Sequence, residues 1–329
     1  MYNAKITAVG YHVPEKVITN ADLEKIFDTS DEWIRTRTGI RERHYAANGE
    51  ATSDLAAAAA CKLLKQRGIT AAEIDCIIVA TVTPDMFFPS TACLLQEKIG
   101  ARNAWGFDLS GACAGFIYAC ATGSQFVHSG AYKKVLVVGA DIMSSVINPK
   151  DRNTYVLFGD AAGAVLLEPT DRGEEGVIDF LLRTDGSGGQ YLYMPAGGSL
   201  RPASHETVEK NLHFVHQDGR AVFRYAVQRM ADISVEILKR NQVSVSDIAL
   251  YAPHQANMRI IDAALERMKL DPARCVRNIE RYANTTAATI PIGLAEAYQE
   301  KRIHRGDLIL MASVGAGFTL GSLLLRWTF

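Results

Sequence analysis

The feature of this sequence that most constrains its fold is an ordered set of segments that occurs twice. The first copy begins at Glu73 with EIDCIIVATV and continues through a segment around Cys113 to KVLVVGAD and GDAAGAVLLE. The second begins at Asp247 with DIALYAPHQA and continues through a segment around Asn284 to DLILMASV and GAGFTLGSLLLRW. The segments follow one another at nearly equal spacings in both copies. Two copies, unlike the many of a solenoid, predict two similar halves.

Short apolar runs rich in β-branched residues alternate along the chain with longer segments rich in Ala and Leu. The predicted strands are residues 76–83, 134–141, 162–168, 248–253, 307–314 and 321–327. Residues 53–68 predict a helix with Ser53 as its N-cap and Gly68 at its end. Because buried strands alternate with helices, the sequence predicts an α/β fold in which helices cover both faces of the sheet.

The two copies separate near the Gly- and Ser-rich stretch TDGSGGQYLYMPAGGSL, which has the composition of turns and loops. We therefore predict an N-terminal half of residues 1–175, which contains Cys113. The C-terminal half, residues 176–329, contains His254 and Asn284.

The charge of the chain argues against two classes of partner. With 35 basic and 36 acidic residues, the formal net charge of −1 provides no overall field to attract nucleic acid or an anionic membrane. Residues 109–132 contain no Asp, Glu, Lys or Arg and reach the length of a membrane span, but their glycines and polar side chains predict a core helix. The first residues lack the features of a signal peptide, so we expect a cytoplasmic protein.

The six cysteines form no C-x-x-C pair and do not cluster with the eight histidines, so no zinc site is predicted. A free cysteine is most often a small buried hydrophobe, and disulfides are disfavoured in the cytosol. Cys113 is distinctive because it lies in DLSGACAGFIYAC, directly before an apolar helical segment. The N–H groups and dipole of a helix N-terminus favour thiolate over thiol. The position predicts a nucleophile suited to thioester exchange.

Two further polar residues are expected beside this cysteine. Asn284 matches Cys113 in the second copy, and a two-fold arrangement would bring the two together near the pseudo-axis. His254 follows a predicted strand, and ligand sites in α/β sheets gather beyond the carboxyl ends of strands. Singly, a strand-end His is more often structural and an Asn before a helix is usually a cap. Together they offer hydrogen-bond donors for a thioester enolate, which favours carbon–carbon bond formation over hydrolysis.

Over essentially its whole length, the sequence resembles the β-ketoacyl-acyl carrier protein synthase III enzymes of the thiolase superfamily. The strings that carry the resemblance are TSDEWIRTRTGIRER (29–43), ACAGF (112–116), FGDAAGAVLLE (158–168), PHQANMRII (253–261) and NTTAATIPI (284–292). It implies a thiolase-like α/β fold, with two pseudo-repeated halves whose central sheets are layered between helices. It also implies that Cys113 accepts a short acyl group from an acyl-CoA such as acetyl-CoA. His254 and Asn284 would then hold the enolate formed as malonyl-acyl carrier protein loses carbon dioxide.

The same resemblance implies further binding roles, and it implies no cofactor because acyl-CoA is a substrate. The backbone N–H groups of Cys113 and Ala316 would form an oxyanion hole. Many relatives have Gly at the latter place, so a positive φ would be costly for Ala316. The residues implied in CoA binding are Trp33, Arg37 and Arg152 around the adenine and Asn257 on the pantetheine arm.

Other implied residues concern macromolecular partners. Phe88, in the apolar stretch TPDMFFPSTACL, would cross to the other subunit of a homodimer and shape its primer pocket. Arg224 and Arg259 would meet the acidic carrier protein. For Arg267, an ordinary exposed helix arginine with a partner at i,i+3 or i,i+4 is at least as good an interpretation.

Several alternatives stay open. A degradative thiolase would bring a second cysteine from residues 314–321, and an elongating ketosynthase would have His in place of Asn284. Hydroxymethylglutaryl-CoA synthases use a glutamate base that has no evident counterpart here. A non-catalytic acyl-CoA-binding protein would not need the Cys, His and Asn set, and a ketosynthase of secondary metabolism would share it. Residues 201–216 fit either a lid or a surface insertion.

Overall fold

The computed structural model describes residues 3–170 and 175–329. Its strands are β1 (Asn3–His12), β2 (Lys16–Thr19), β3 (Glu42–Tyr45), β4 (Cys76–Ala80), β5 (Trp105–Leu109), β6 (Val135–Ile142), β7 (Asp160–Thr170), β8 (Gly176–Thr184), β9 (Leu192–Tyr193), β10 (His216–Gln217), β11 (Ile248–Pro253), β12 (Leu308–Gly315) and β13 (Thr319–Arg326). Its α-helices are α1 (Asn20–Glu24), α2 (Asp31–Thr38), α3 (Thr52–Arg67), α4 (Thr91–Ile99), α5 (Gly115–His128), α6 (Arg152–Tyr155), α7 (His205–Glu209), α8 (Gly219–Arg240), α9 (Met258–Met268), α10 (Ile279–Tyr282) and α11 (Thr289–Gln299). Short 3-10 turns cover Ala71–Glu73, Ala112–Ala114, Met143–Ser145, Gly186–Gln190, Val245–Asp247, Pro272–Arg274 and Thr286–Ala288.

Two central sheets repeat one topology. The first has the order β1-β7-β6-β4-β5, and the second has the order β8-β13-β12-β11. In each sheet the first two neighbouring pairs are antiparallel and the third is parallel. The counterpart of β5 in the second half is reduced to a parallel bridge between Tyr251 and Cys275. The repeat of two similar halves, predicted from the order of the segments, is confirmed.

The elements form five layers. Helices α5 and α11 lie between the two sheets and share one apolar core with both. Helices α3 and α4 cover the outer face of the first sheet, and α8 and α9 cover that of the second. Alternation along β6 shows how one strand serves two cores: Val135 and Val137 face the middle layer, while Leu136 and Val138 face α3. Such two-sided burial explains the continuous apolar runs in the sequence.

The predicted strands are all present, and seven others were not predicted: β1, β2, β3, β5, β8, β9 and β10. β1 and β8 lie at the edges of the two sheets, where half-exposed positions interrupt the apolar run. The predicted helix at residue 53 is α3, which ends at Gly68 with φ 72°. The N-cap prediction for Ser53 is wrong, because the cap is Ala51, whose N–H donates to Asp54. Ser53 lies inside the first turn, where its hydroxyl donates to Asp85.

The uncharged segment 109–132 contains α5, a helix of the middle layer. Throughout the described ranges, no helix is long and apolar enough to cross a membrane. No group of three or more His, Cys, Asp or Glu side chains in those ranges is arranged to hold a metal ion. The division of the chain between residues 175 and 176 stays a prediction; β8, which follows it, belongs to the second sheet.

Candidate active site between the two halves

Cys113 lies in a 3-10 turn that connects β5 to α5. The turn is fastened from the second half of the chain: Ser313 Oγ donates to the Cys113 carbonyl oxygen at 2.8 Å, and Thr319 Oγ1 donates to the Gly111 carbonyl oxygen at 2.8 Å. Ala112, just before the cysteine, has φ 46°, an uncommon conformation for a residue with a Cβ. Tertiary contacts therefore hold the cysteine at the start of α5, with a side chain 7% exposed.

Asn284 is held by backbone pairing with the segment before β7. Its N–H donates to the Leu157 carbonyl at 3.0 Å, and its carbonyl accepts from the Gly159 N–H at 3.1 Å. The side-chain Oδ1 accepts from the Thr286 N–H at 2.9 Å. This bond fixes the amide plane and leaves the amino group, Nδ2, to face the cavity that Asn284 lines.

His254 follows β11, and its N–H donates to the Ala312 carbonyl on β12 at 2.8 Å. Its ring nitrogen Nδ1 lies 2.8 Å from Thr289 Oγ1. The residue is 1% exposed, and burial lowers the pKa of its imidazole to about 3. At neutral pH the ring is therefore uncharged and able to accept a proton.

Cys113, His254 and Asn284 line a single cavity of about 410 Å³. The cavity lies where the two halves meet, because the cysteine comes from the first copy of the repeat and the other two residues from the second. Phe158, Val314 and Phe318 supply apolar wall beside them. The structure thus brings together the three residues that the sequence pattern predicted to converge.

The ionisation of Cys113 differs from the sequence-based prediction. Burial raises the pKa of its thiol to about 12, and the buried carboxyl group of Asp141 adds to the rise. The backbone N–H of Cys113 favours thiolate but does not outweigh burial. The resting cysteine is a neutral thiol, so the prediction of a resting thiolate is wrong and a nearby base must take the proton.

Asp141 is a buried support beneath this site. Its carboxylate accepts from the N–H groups of Val82, Thr83 and Ala287 and from the hydroxyls of Thr81, Thr83 and Thr286. Burial raises the pKa of the carboxyl group, while these donors act in the opposite direction. The network joins the ends of β4 and β6 to the turn that follows Asn284.

Gly315 is a site residue that the sequence did not single out. A Cβ on Gly315 would lie 2.8 Å from the Cys113 nitrogen, closer than real Cβ contacts come, and 3.0 Å from the Ala114 nitrogen, which is also tight. Ala316, the next residue, lines a second pocket together with Cys113. Ala316 does not have the positive φ that would have been costly for it. The residue with a positive φ in this loop is Gly317, at 134°. Only the three-dimensional contact reveals why Gly315 lacks a side chain.

The mouth of the cavity contains the residues predicted to bind CoA. Trp33, Arg37 and Asn257 line it, and the Arg152 guanidinium lies 4.9 Å from the centre of the Trp33 ring. Arg152 also donates to the Asp28 carbonyl. Asn257 caps α9 by accepting from the Arg259 N–H, and its Nδ2 donates to the Arg37 carbonyl at 3.0 Å.

Arginines surround the same mouth. Arg259 lines the cavity and lies 4.7 Å from the centre of the Phe223 ring. Arg224 is exposed one turn along α8 from Arg220, a cavity-lining arginine that the sequence analysis missed. Arg267 is an exposed helix arginine, as its ordinary interpretation predicted, but its partner is Asp232 on α8 and not a residue three or four positions away on its own helix.

Phe88 lines neither of the two cavities that contain Cys113 and is 85% exposed, and Phe87 beside it is 80% exposed. The second pocket, about 180 Å³ in volume, lies behind Cys113 and is walled by Met143, Val146 and Val215 among others. Val215 comes from the segment 201–216, so part of that segment closes this pocket. Sequence reasoning missed these apolar residues because they carry no pattern beyond hydrophobicity.

Comparison with known proteins gives concordant results. Residues 107–186 match the family model described as 3-oxoacyl-(acyl-carrier-protein) synthase III, and residues 238–327 match the model of its C-terminal part. The chain is 55% identical over 327 residues to the β-ketoacyl-(acyl-carrier-protein) synthase III of Koribacter versatilis, covering 99% of this chain and 98% of that protein.

Solved structures agree with these matches. The 3-oxoacyl-(acyl-carrier-protein) synthase III of Aquifex aeolicus superposes with a TM-score of 0.91 at 41% identity, covering 98% of this chain and 100% of that one. The priming β-ketosynthase of the R1128 polyketide pathway superposes with a TM-score of 0.92 at 33% identity, covering 99% and 97%. The thiolase-like fold expected from the resemblance is confirmed.

Proposed function

The chain belongs to the β-ketoacyl-acyl carrier protein synthase III family, and we propose which of its residues carry out that family's reaction. The protein is an acyltransferase that condenses a short acyl-CoA primer with malonyl-acyl carrier protein, the step that initiates fatty acid synthesis. The observation that carries the residue assignment is the single cavity lined by Cys113, His254 and Asn284. A thiol, a neutral imidazole and an amide donor supply the nucleophile, base and donor that the reaction needs.

In the first half-reaction, His254 takes the thiol proton as Cys113 attacks the acyl-CoA carbonyl. The tetrahedral oxyanion is held by the backbone N–H groups of Cys113 and Ala316. These groups lie next to the place where Gly315 closely approaches the Cys113 nitrogen. The carbon–sulfur bond to CoA breaks, and His254 returns the proton to the CoA sulfur. The products are an acyl-Cys113 thioester and free CoA. Burial supports this sequence because a neutral thiol requires a base.

In the second half-reaction, malonyl-acyl carrier protein loses carbon dioxide, and the electron pair of the broken bond forms an enolate. The Asn284 amino group and a proton-bearing His254 hold the enolate oxygen. The enolate carbon attacks the acyl group on Cys113, and the carbon–sulfur bond breaks. The thiolate released takes one proton from water, which regenerates the thiol. Support comes from Oδ1 of Asn284, whose bond to the Thr286 N–H turns the amino group toward the cavity.

CoA binding is proposed at Trp33, Arg37, Arg152 and Asn257. The indole of Trp33 offers a stacking face for adenine, and arginines can stack on it or pair with phosphate. Arg152 occupies one face of the indole in this structure, so a purine stacked on that face requires the guanidinium to move. Asn257 presents its polar side chain at the mouth, where the pantetheine arm would enter.

We propose a homodimer in which Phe88 of each subunit reaches the primer pocket of the other. Two adjacent phenylalanines exposed by 80% and 85% are unusual on the surface of a monomer. Among the described residues, β5 is also the last strand of its sheet. Its outer edge can therefore pair with a strand of a second copy. The acyl group would occupy the apolar pocket behind Cys113.

The carrier protein is proposed to dock on the arginines at the cavity mouth. Arg224 and Arg259 were predicted from the sequence, and Arg220, in the first turn of α8, adds a third positive charge at the opening. Such a cluster would increase the association rate of an acidic partner even though the net charge of the chain is close to zero.

We also propose that the enzyme works in the cytoplasm, where its exposed thiols, Cys61 and Cys93, would stay reduced.

The division of the chain into residues 1–175 and 176–329 is proposed as the boundary of the two pseudo-repeated halves.

A second candidate function is priming in a polyketide pathway, because the R1128 priming ketosynthase superposes over nearly the whole chain. The range of primers accepted would separate the two functions.

The test of the residue assignment is intact-mass spectrometry after incubation with acetyl-CoA, beside a Cys113→Ser control. We expect the mass of one acetyl group on the wild-type protein and none retained as thioester on the control. No gain with acetyl-CoA, butyryl-CoA or a branched primer would argue for a non-catalytic acyl-CoA-binding protein. Acetyl gain that survives in the Cys113→Ser variant as a thioester would place the nucleophile elsewhere.

A further inference from the structure

Thr286, two residues after Asn284, has an uncommon backbone conformation. Its φ is 50°, in the left-handed region that side chains branched at Cβ rarely enter. Such a conformation persists only where the surrounding structure holds it. Thr286 is 3% exposed, so the contacts that hold it come from the protein around it.

This conformation directs the backbone N–H of Thr286 at the side chain of Asn284. The N–H donates to Asn284 Oδ1 at 2.9 Å. Because a backbone N–H can only donate, the atom that it faces must be the amide oxygen and not the amino group. The orientation of the Asn284 amide therefore depends on the backbone conformation of Thr286.

The side chain of Thr286 is held by Asp141, on β6. Thr286 Oγ1 donates to Asp141 Oδ2, which also accepts from the Ala287 N–H at 3.4 Å. Asp141 is completely buried and lines neither of the two cavities that contain Cys113. Apart from its charge, Asp141 can therefore affect the site only through the groups that it binds.

The other carboxylate oxygen, Oδ1, fixes Asp141 itself. It accepts from two backbone N–H groups and from the hydroxyls of Thr81 and Thr83. Each of these hydroxyls accepts from a backbone N–H, so its own hydrogen is directed at Asp141. Four donors on Oδ1 thus hold the carboxylate in one orientation, with Oδ2 facing Thr286.

We propose that Asp141 and Thr286 are positioning residues that together keep the amino group of Asn284 directed at the enolate oxygen. The inference rests on the proposed role of Asn284 and names the groups that orient it. Asn284 acts only when the enolate forms, whereas acylation uses Cys113, His254 and backbone N–H groups. Breaking the link from Asp141 to Thr286 should therefore slow decarboxylation more than acylation.

Thr286→Val breaks this link and keeps the volume and branching of the side chain. The backbone loses the bond that stabilises its unfavourable φ, so its N–H should move away from Asn284 Oδ1. Without primer, we expect kcat for release of carbon dioxide from malonyl-acyl carrier protein to fall by about tenfold or more, since complete loss of such a donor costs about a hundredfold. The KM should stay the same, because the enolate exists only after the substrate has bound. Acetyl transfer from acetyl-CoA to Cys113 should change by less than about threefold, on the same reasoning.

Asp141→Asn breaks the same link from the other side with a side chain of the same shape. The amide oxygen should take the place of Oδ1, where four donors converge, which turns the amino group toward Thr286. An amino group cannot accept from the Thr286 hydroxyl or the Ala287 N–H. We expect the same slowing of decarboxylation. Acylation should not slow, because the substitution also removes a charge that raises the pKa of the Cys113 thiol.

Two control variants separate this effect from general damage. Thr286→Ser keeps the hydroxyl and should retain most of the decarboxylation rate. Thr285→Val makes the same substitution one residue away, where the buried hydroxyl has no hydrogen-bond partner among the described residues. It should leave both half-reactions unchanged. Equal slowing of the two half-reactions by Thr286→Val and Asp141→Asn would overturn the inference.

A double variant shows whether Thr286 acts through Asn284. The amide is absent from Asn284→Ala, so adding Thr286→Val to it should not slow decarboxylation further. A further fall as large as the one caused by Thr286→Val alone would mean that Thr286 acts by another route, and the inference would be wrong.

The same variants show which claim fails. If Asn284→Ala releases carbon dioxide at the wild-type rate, the proposed role of Asn284 is wrong and the positioning role falls with it. If Asn284→Ala loses decarboxylation while Thr286→Val and Asp141→Asn leave the ratio of the two half-reactions unchanged, the role of Asn284 stands and only the positioning role is wrong.

Discussion

Ser313 and Cys113 join the two halves of the molecule at the nucleophile. The hydroxyl of Ser313, on β12, donates to the Cys113 carbonyl oxygen at 2.8 Å, and Ser313 is completely buried. The cysteine belongs to the first copy of the repeat and the serine to the second. The position of the thiol therefore depends on the docking of the two sheets around the middle layer of helices.

Replacing this serine should loosen the turn that holds the thiol. Ser313→Ala removes the donor and leaves the Cys113 carbonyl buried without it, which we expect to lower the free energy of unfolding by about 1–3 kcal/mol. The acylation rate should fall as well, because the turn loses a constraint. Thermal unfolding and intact-mass kinetics measure the two effects.

The matched control is Ser322→Ala, on the neighbouring strand β13. Ser322 is also completely buried and donates to the Ile233 carbonyl, at 3.2 Å, but it does not line the cavity. It should destabilise the protein with acylation unchanged. An acylation rate equally reduced in both variants would show that general stability, and not the Cys113 contact, is being measured.

A side chain at residue 315 should displace the nucleophile. The Cβ of Gly315→Ala would lie 2.8 Å from the Cys113 nitrogen, so either the glycine loop or the cysteine turn must shift. We expect acylation to fall by about a hundredfold, the scale of losing one oxyanion-hole donor. Gly198→Ala is the control, since a Cβ there meets no atom within 4 Å and should leave the rate unchanged. If Gly315→Ala acylated Cys113 at the wild-type rate, the loop would accommodate a methyl group without displacing the cysteine, and the prediction would be wrong.

These two contacts show where sequence reasoning reached its limit. The repeat predicted that Cys113 and Asn284 would converge, because matching positions of a duplicated unit are related by the pseudo-axis. It could not identify Ser313 or Gly315, since their importance comes from touching a turn two hundred residues away in the chain.

The ionisation of Cys113 marks the same limit in electrostatic terms. A helix N-terminus is legible in the sequence, so the effect that favours thiolate was predicted. The sequence does not show how deeply Cys113 is buried or that Asp141 lies near it. Both the burial and the Asp141 charge raise the pKa of the thiol. The apolar wall formed by Met143, Val146 and Val215 likewise required the folded chain, because hydrophobic residues alone do not indicate which core or pocket they face.

The raised pKa of Cys113 predicts how its reactivity depends on pH. Below a pKa of about 12, the thiolate fraction increases roughly tenfold for each pH unit. We therefore expect alkylation of Cys113 by iodoacetamide to keep rising between about pH 6 and pH 9, where an ordinary thiol starts to level off. Because Cys61 and Cys93 are exposed and also react, peptide mass mapping must follow Cys113 alone. A plateau below about pH 8 would show that a thiolate is present at rest.

Arg152 and Trp33 predict a defect that depends on the adenine of the substrate. Arg152→Ala removes the guanidinium that lies 4.9 Å from the indole centre, and with it a partner for a stacked purine. We expect the KM for acetyl-CoA to rise by about five- to tenfold with little change in kcat, given the usual strength of such stacking. Acetyl-pantetheine, which lacks the nucleotide, should be used as well by the variant as by the wild-type enzyme. If Arg152→Ala lost activity equally with acetyl-CoA and acetyl-pantetheine, the proposed role of Arg152 in adenine binding would be wrong.

Phe88 predicts a change in primer choice that depends on a second subunit. The side chain is 85% exposed and lines neither of the two cavities that contain Cys113, so we expect it to shape a primer pocket by entering another copy of the chain. Phe88→Ala should enlarge that pocket and shift the ratio of acetyl, butyryl and branched primers loaded onto Cys113 in competition. Phe87→Ala removes a neighbouring ring of equal size and is the control. Sedimentation of the wild-type protein as a monomer would contradict the crossing of Phe88. A dimer with unchanged primer ratios in Phe88→Ala would mean that the pocket is determined by the residues of one chain alone.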